Sequence, residues 1–158
     1  MSRSLSASYL LFIGIIIGIE FAAGALIASV IFYPAKFIGQ GVLSHFQSGI
    51  LMTQVFLRFN IILLIFVALA WAYEAYMYKI GKKDLWTFLL LIGVSVCAYL
   101  FVFYFTPYIL DIQRQSNESL IKTPEFVKMH KGSEIDMKVL MMLQLGLFFR
   151  RFWVLYKH

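Results

Sequence analysis

The chain has 158 residues, 61 % of them hydrophobic and only 14 % charged, with a formal net charge of +6. A soluble domain carries about 45–50 % apolar and about 25 % charged residues, so this composition excludes a water-facing fold. The positive charge falls mostly between and after the apolar runs and comes with no nucleic-acid-binding pattern. It fits topology control and attraction to anionic lipid headgroups, with the bilayer and not nucleic acid as the partner.

In chain order, the first apolar run covers residues 9–33. About 20 apolar residues cross a hydrocarbon core of about 30 Å, so this run predicts a spanning helix. Arg3 before it and Ala23-Gly24-Ala25 within it imitate a signal peptide. The run is too long for one, because a signal h-region is about 7–15 residues. Glu20 sits near its middle, and Gly14, Gly18 and Ala22 form a small-residue spacing that predicts tight packing with Glu20 turned inward. Pro34 ends the run. The stretch 35–48, with Lys36, Gln40, His45 and Gln47, reads as an interfacial turn or short amphipathic helix.

The second span is expected at 49–78, with Thr53, Gln54, Arg58 and Asn60 in its first half. Residues 79–84 form a tight basic connection. The third span is expected at 85–106, stopped by Pro107. It contains the single cysteine, Cys97, which can form no intramolecular disulfide and reads as a packing residue. Residues 108–134 are polar and amphipathic. Within them Thr123 can cap a helix that has Pro124 in its first position, runs to about residue 156 and enters the membrane near 135. The expected fold is therefore all-α: a single membrane domain of four spanning helices (9–33, 49–78, 85–106, 135–156) with an amphipathic extramembrane segment before the last.

Basic residues suggest the orientation. Arg3, the Lys79/Lys82/Lys83 group and Arg150/Arg151/Lys157 share one side in dense, short clusters. Lys36, Arg114, Lys122, Lys128, Lys131 and Lys138 are spread along the other. This asymmetry predicts cytoplasmic termini. Trp71, Tyr73, Tyr76, Tyr78 and Trp86 flank the basic turn, as interfacial aromatics do.

Charged side chains in hydrocarbon are costly, about 2.5–3.5 kcal/mol each at a helix centre on insertion scales, and survive by facing partners. Glu20 is the clearest case. Counting residues from the span ends puts Asn60, Ser95 and Gln144 about 15 Å deep, near its level, and Arg58 nearer the outer face. These polar groups fit either a proton, ion or ligand path or interhelical bonds worth about 0.6 kcal/mol each.

The last helix carries the sharpest pattern. His130, Glu134, Met137, Met141 and Gln144 are spaced 4, 3, 4, 3 and so share one helix face. His45 lies in the other loop on the same side. Imidazole and thioether donors suit copper, so His45, His130, Met137 and Met141 form a candidate metal set, and the two histidines could instead hold a haem iron. The plainer reading is that methionine fills irregular cores and a boundary histidine makes interfacial hydrogen bonds. No metal spacing, P-loop, dinucleotide glycine pattern or nucleophile elbow is present, which points to a non-enzymatic protein with no resident cofactor demanded.

The small-residue first helix ending at Val30-Ile31-Phe32-Tyr33-Pro34, the third span ending at Thr106-Pro107-Tyr108-Ile109, and Phe126, Met129, His130 and Ser133 before the last span resemble a known pattern. It is that of the bacterial membrane family of unknown function related to eukaryotic transmembrane protein 205, over about residues 10–150. The resemblance implies a four-helix protein of the bacterial inner membrane and implicates His130 and Ser133 in a site. Four-span domains of copper handling and haem biosynthesis carry an intramembrane histidine, often in the first helix, where this chain has Glu20. The expectation is thus a bundle that binds or passes a small ligand, proton or metal ion through His130, Ser133 and Glu134, with Glu20, Asn60 and Gln144 deeper. The alternatives are a haem- or copper-holding subunit, and a structural partner in a homo-oligomer or larger membrane complex.

Overall fold

The computed structural model describes residues 3–39 and 41–156, without the side chains of Arg3 and Ile38. Gln40 and Lys157, assigned above to the first loop and the terminal basic cluster, lie outside the described residues, as does the Arg3 side chain. Four long helices are apolar enough to cross a membrane: α1 (Ser4–Phe32), α3 (His45–Lys79), α4 (Leu85–Arg114) and α5 (Pro124–Tyr156). A short α2 (Ala35–Ile38) follows α1, a single 3₁₀ turn covers Leu120–Lys122, and no strand occurs among the described residues. The protein is an all-α, multi-pass membrane bundle.

Local chemistry sets the helix ends. At the start of α3 the Ser44 side chain accepts from the Gln47 amide at 3.2 Å, and the Gln47 side chain accepts from the Ser44 amide at 2.8 Å. This reciprocal cap starts the helix at His45, four residues before the apolar run. Asp84 caps α4 by accepting from the Thr87 amide at 2.9 Å. As predicted, Thr123 caps α5, accepting from the Phe126 amide at 3.3 Å, with Pro124 in the first turn.

Pro107 does not stop the third span. The helix continues to Arg114 because the chain widens into a π-helical stretch at Phe101–Phe105 just before it. There the Phe101 carbonyl accepts the Thr106 amide five residues on, and also the Thr106 hydroxyl at 2.8 Å. The wider turn accommodates a proline ring that would otherwise press on the carbonyl four residues back. A second π-helical stretch lies in α1 at Ala22–Ile27. The amphipathic region before the last span accordingly consists of the end of α4, the 3₁₀ turn and the first turns of α5.

The helices run up and down in turn, and each packs on its neighbours in the ring α1–α3–α4–α5. Ile13, Ile16, Phe59, Leu63, Phe66, Leu91, Val94, Leu140 and Leu147 fill the centre. The tightest seam is α4 on α5. A methyl group added at Gly93 would lie 3.1 Å from Leu143, one at Gly146 3.2 Å from Leu90, and one at Gly132 3.0 Å from Phe105. Glycine permits this approach because it has no side chain to separate the helices. The spacing at Gly14 and Gly18, expected to pack α1 tightly, does not do so. A methyl group at either meets nothing within 4 Å. The buried face of α1 is the one bearing Ile13, Ile16, Glu20 and Ala23, leaving the two glycines on the outside of the bundle.

The end of the bundle nearer residues 3 and 156, here the terminal end, is held by two arginines. Arg151, fully buried, pairs with Glu74 and stands 5.4 Å from the Tyr73 ring, which stacks on Tyr9 at 3.9 Å. Arg150 grips Asp84 with two hydrogen bonds, at 2.9 and 2.5 Å. The Arg150 guanidinium holds the Asp84 carboxyl well below the usual carboxylate range.

Candidate ligand site

At the opposite, loop end the four helices enclose a cavity of about 810 Å³. Its walls are largely apolar and aromatic. Phe21, Gly24, Ala25 and Ala28 come from α1, Phe46, Met52 and Phe56 from α3, Phe101, Phe105 and Ile109 from α4, and Phe126, Met137 and Met141 from α5. Both π-helical stretches contribute to this lining, at Gly24 and Ala25 and at Phe101 and Phe105. Such insertions re-aim side chains and recur at functional sites.

Glu20 lines the cavity at its inward limit and is only 2 % exposed. Its Oε1 accepts from Gln144 Nε2 at 2.9 Å, while its Oε2 has no partner. Gln144 is fully buried, and its own Oε1 is also unpaired. A buried polar atom without a partner is destabilising, so this carboxyl oxygen is poised for a hydrogen-bonding partner that the protein does not supply.

Nearer the mouth, His130 Nδ1 lies 3.3 Å from Glu134 Oε1, and the His130 ring stacks on Phe126 at 6.0 Å. Ser133 also lines the cavity, but its hydroxyl donates to the His130 carbonyl at 2.7 Å within the helix. His45 enters from α3 and packs on Phe32 at 5.3 Å. Lys131 and Lys138 complete the α5 wall.

The fold therefore brings Glu20, His45, His130, Ser133, Glu134, Met137 and Met141 around one cavity, with Gln144 bonded to Glu20. It does not bring Arg58 or Asn60 there. Arg58 is exposed on α3, and its Nη1 donates to the Gln54 carbonyl at 2.8 Å. Asn60 donates to the Thr106 hydroxyl at 3.1 Å. The α1–α3 register, set by Ser48 on the Ile31 carbonyl and Tyr73 on Ser6, puts Asn60 near the level of Glu20, but its side chain turns to Thr106. Ser95 also lies away from Glu20, accepting from Trp71 Nε1 at 2.9 Å and donating to the Leu91 carbonyl at 2.8 Å. Among the described residues no group of three His, Cys, Asp or Glu side chains is arranged to hold a metal ion.

Three polar features escape the sequence reading. Asp136 is buried between α4 and α5, with Oδ2 unpaired, and Thr106 and the Glu74–Arg151 pair are buried elsewhere in the bundle. A signal for two of them exists. Ser133, Asp136, Leu140, Gln144, Leu147 and Arg151 also follow helical spacing, and they form the buried stripe of α5. The His130–Met141 stripe lies beside it, on the flank that lines the cavity.

Residues 11–118 match a family model described as a domain of unknown function, DUF4149. No curated protein and no solved structure matches the chain. The match takes in α1, α3 and α4 and so three walls of the cavity; the α5 wall lies beyond it. With more than half of its length matched, this four-span membrane protein belongs to the DUF4149 family.

Proposed function

We propose that the protein is a non-enzymatic membrane bundle that binds a small molecule in the cavity at its loop end. The ligand has an apolar body and a hydrogen-bonding head, such as an amine or hydroxyl, seated on Glu20. One observation carries this reading: a buried carboxyl oxygen without a partner in a large, aromatic-lined cavity. Ligand sites are commonly clefts of about 300–1,000 Å³ with apolar walls and a few directed polar groups. The acid is also costly at this depth unless something pairs with it.

Two variants test the proposal. Gly24→Leu adds bulk where a methyl group meets nothing within 4 Å, so it fills the cavity without a clash at its root. Glu20→Gln keeps the size but alters the acceptor. Organic extracts of the purified proteins, compared by mass spectrometry, are expected to contain a compound enriched with the wild type and lost from both variants. Identical extracts from all three proteins would overturn the proposal.

A metal-handling or haem-holding role is the second reading, favoured by His45, His130, Met137 and Met141 all lining the same cavity. It predicts stoichiometric copper or a haem absorbance band in the wild type, lost in His130→Ala. A role as an assembly subunit draws on the outward Gly14/Gly18 face, which suits close approach by another helix. The location we propose is the bacterial inner membrane with cytoplasmic termini, on the strength of the dense basic clusters. The motif of Phe126, Met129, His130 and Ser133 further supports kinship with the transmembrane protein 205 relatives.

A further inference from the structure

A second opening lies between α3 and α4, on the far side of Thr106 from Glu20's cavity. It is a groove of about 490 Å³ walled by Leu57, Ile61 and Leu64 of α3 and Val102 and Leu110 of α4, with Asn60 and Arg114 as its polar groups beside Thr106. We propose that this groove binds a single-chain phospholipid, with the phosphate on Arg114, the free backbone hydroxyl on Asn60 and the acyl chain along the apolar walls.

The orientation of Asn60 follows from its network. The Thr106 hydroxyl has one hydrogen and donates it to the Phe101 carbonyl at 2.8 Å. Toward Asn60 it can only accept, so Asn60 must offer its amide nitrogen there, as the 3.1 Å contact requires. The Asn60 carbonyl oxygen is thereby left as an acceptor. The side chain is 5 % exposed and this oxygen has no partner. Its position among apolar walls calls for an occupant that is itself mostly apolar yet brings one donor.

Arg114 supplies the complementary charge. It lies eight residues beyond Thr106 on α4, about 12 Å farther toward the loop end. An arginine side chain spans part of that distance, leaving roughly the separation between a lipid phosphate and its glycerol backbone. Diacyl lipids carry esters at both backbone positions and have no donor there to offer Asn60. A monoacyl lipid has one free hydroxyl there, and one chain to lay in a groove walled by two helices. Arginine suits phosphate because its planar donors engage two oxygens at once.

The test uses the full-length protein in detergent and native mass spectrometry. It is titrated with 1-acyl lysophosphatidylcholine, diacyl phosphatidylcholine and inorganic phosphate. The expected result is that the monoacyl lipid binds about tenfold more tightly than the diacyl lipid, as one hydrogen bond to a buried acceptor allows. Arg114→Gln weakens it about tenfold. Leu110→Trp, which fills the groove, abolishes it, while Lys83→Gln at the other end of the bundle leaves it unchanged. Equal affinity for the two lipids would overturn the assignment of Asn60. Binding indifferent to both Arg114→Gln and Leu110→Trp would overturn the groove itself. Inorganic phosphate competing as well as the lipid would replace a lipid groove with a simple phosphate site.

Discussion

Arg151 shows how much a single residue can differ from its apparent role. In sequence it is half of a basic pair beside the last apolar run, suited to setting topology. In the fold Arg150 does lie toward the interface, clamped to Asp84, but Arg151 is fully buried against Glu74 and Tyr73. Removing one member of a buried ion pair leaves an uncompensated charge and typically costs about 3–5 kcal/mol, whereas replacing both with apolar groups can be nearly neutral. Glu74→Ala should therefore destabilise the protein by about that amount in detergent unfolding titrations, and adding Arg151→Leu should restore most of it. A double variant no more stable than the single would show that the pair is not coupled in this way. Glu20 is the contrasting residue. Its inward direction and its pairing with Gln144 follow the sequence expectation, because only a facing polar group makes an acid tolerable at that depth.

Among the elements, α4 and α5 are the most closely packed pair. Gly93 and Gly146 let them approach until each touches a leucine of the other. Gly93→Leu and Gly146→Leu should each lower stability by about 1–3 kcal/mol through overpacking, measured by resistance to denaturing detergent. Gly14→Leu and Gly18→Leu should leave the monomer's stability unaltered, since nothing faces those positions. Equal losses at all four glycines would contradict this packing. The loop-end half of α1 contrasts with that seam, since its small residues Gly24, Ala25 and Ala28 border the cavity and pack no opposing helix closely. The same kind of small-residue spacing thus has three different fates: a tight seam, an outward face and a cavity wall. Spacing alone cannot separate them, because each requires knowing which face of the helix meets a neighbour.

For the whole molecule, four spanning helices in alternating directions put residues 3 and 156 on one side of the membrane, together with the turn at residues 80–84. The turn at 115–123 belongs to the other side, at the mouth of the cavity. With Cys97 replaced by Ala, a cysteine at Ser119 should react with an impermeant maleimide in intact cells, and one at Lys82 only after permeabilisation. The reverse pattern would invert the proposed orientation and open the cavity to the cytoplasm. Reaction of both in intact cells would contradict the four-span topology.

Composition and the lengths of the apolar runs were enough to determine a helical membrane protein with four crossings, since a bilayer admits few ways to satisfy the backbone of such a chain. The Thr123–Pro124 helix start was likewise legible, because a cap depends only on neighbouring residues. Helix extent was less so: a reciprocal Ser44–Gln47 cap and a π-helical stretch before Pro107 carry α3 and α4 past the points where hydropathy and proline suggested they would end. Only the tertiary structure decided which of two adjacent stripes on α5 is core and which is cavity wall. Residues one position apart on a helix differ by about 100° in direction, and the angle at which the neighbouring helices pack assigns each to its place. That packing joins Glu20 to Gln144 and turns Asn60 to Thr106 and a different groove.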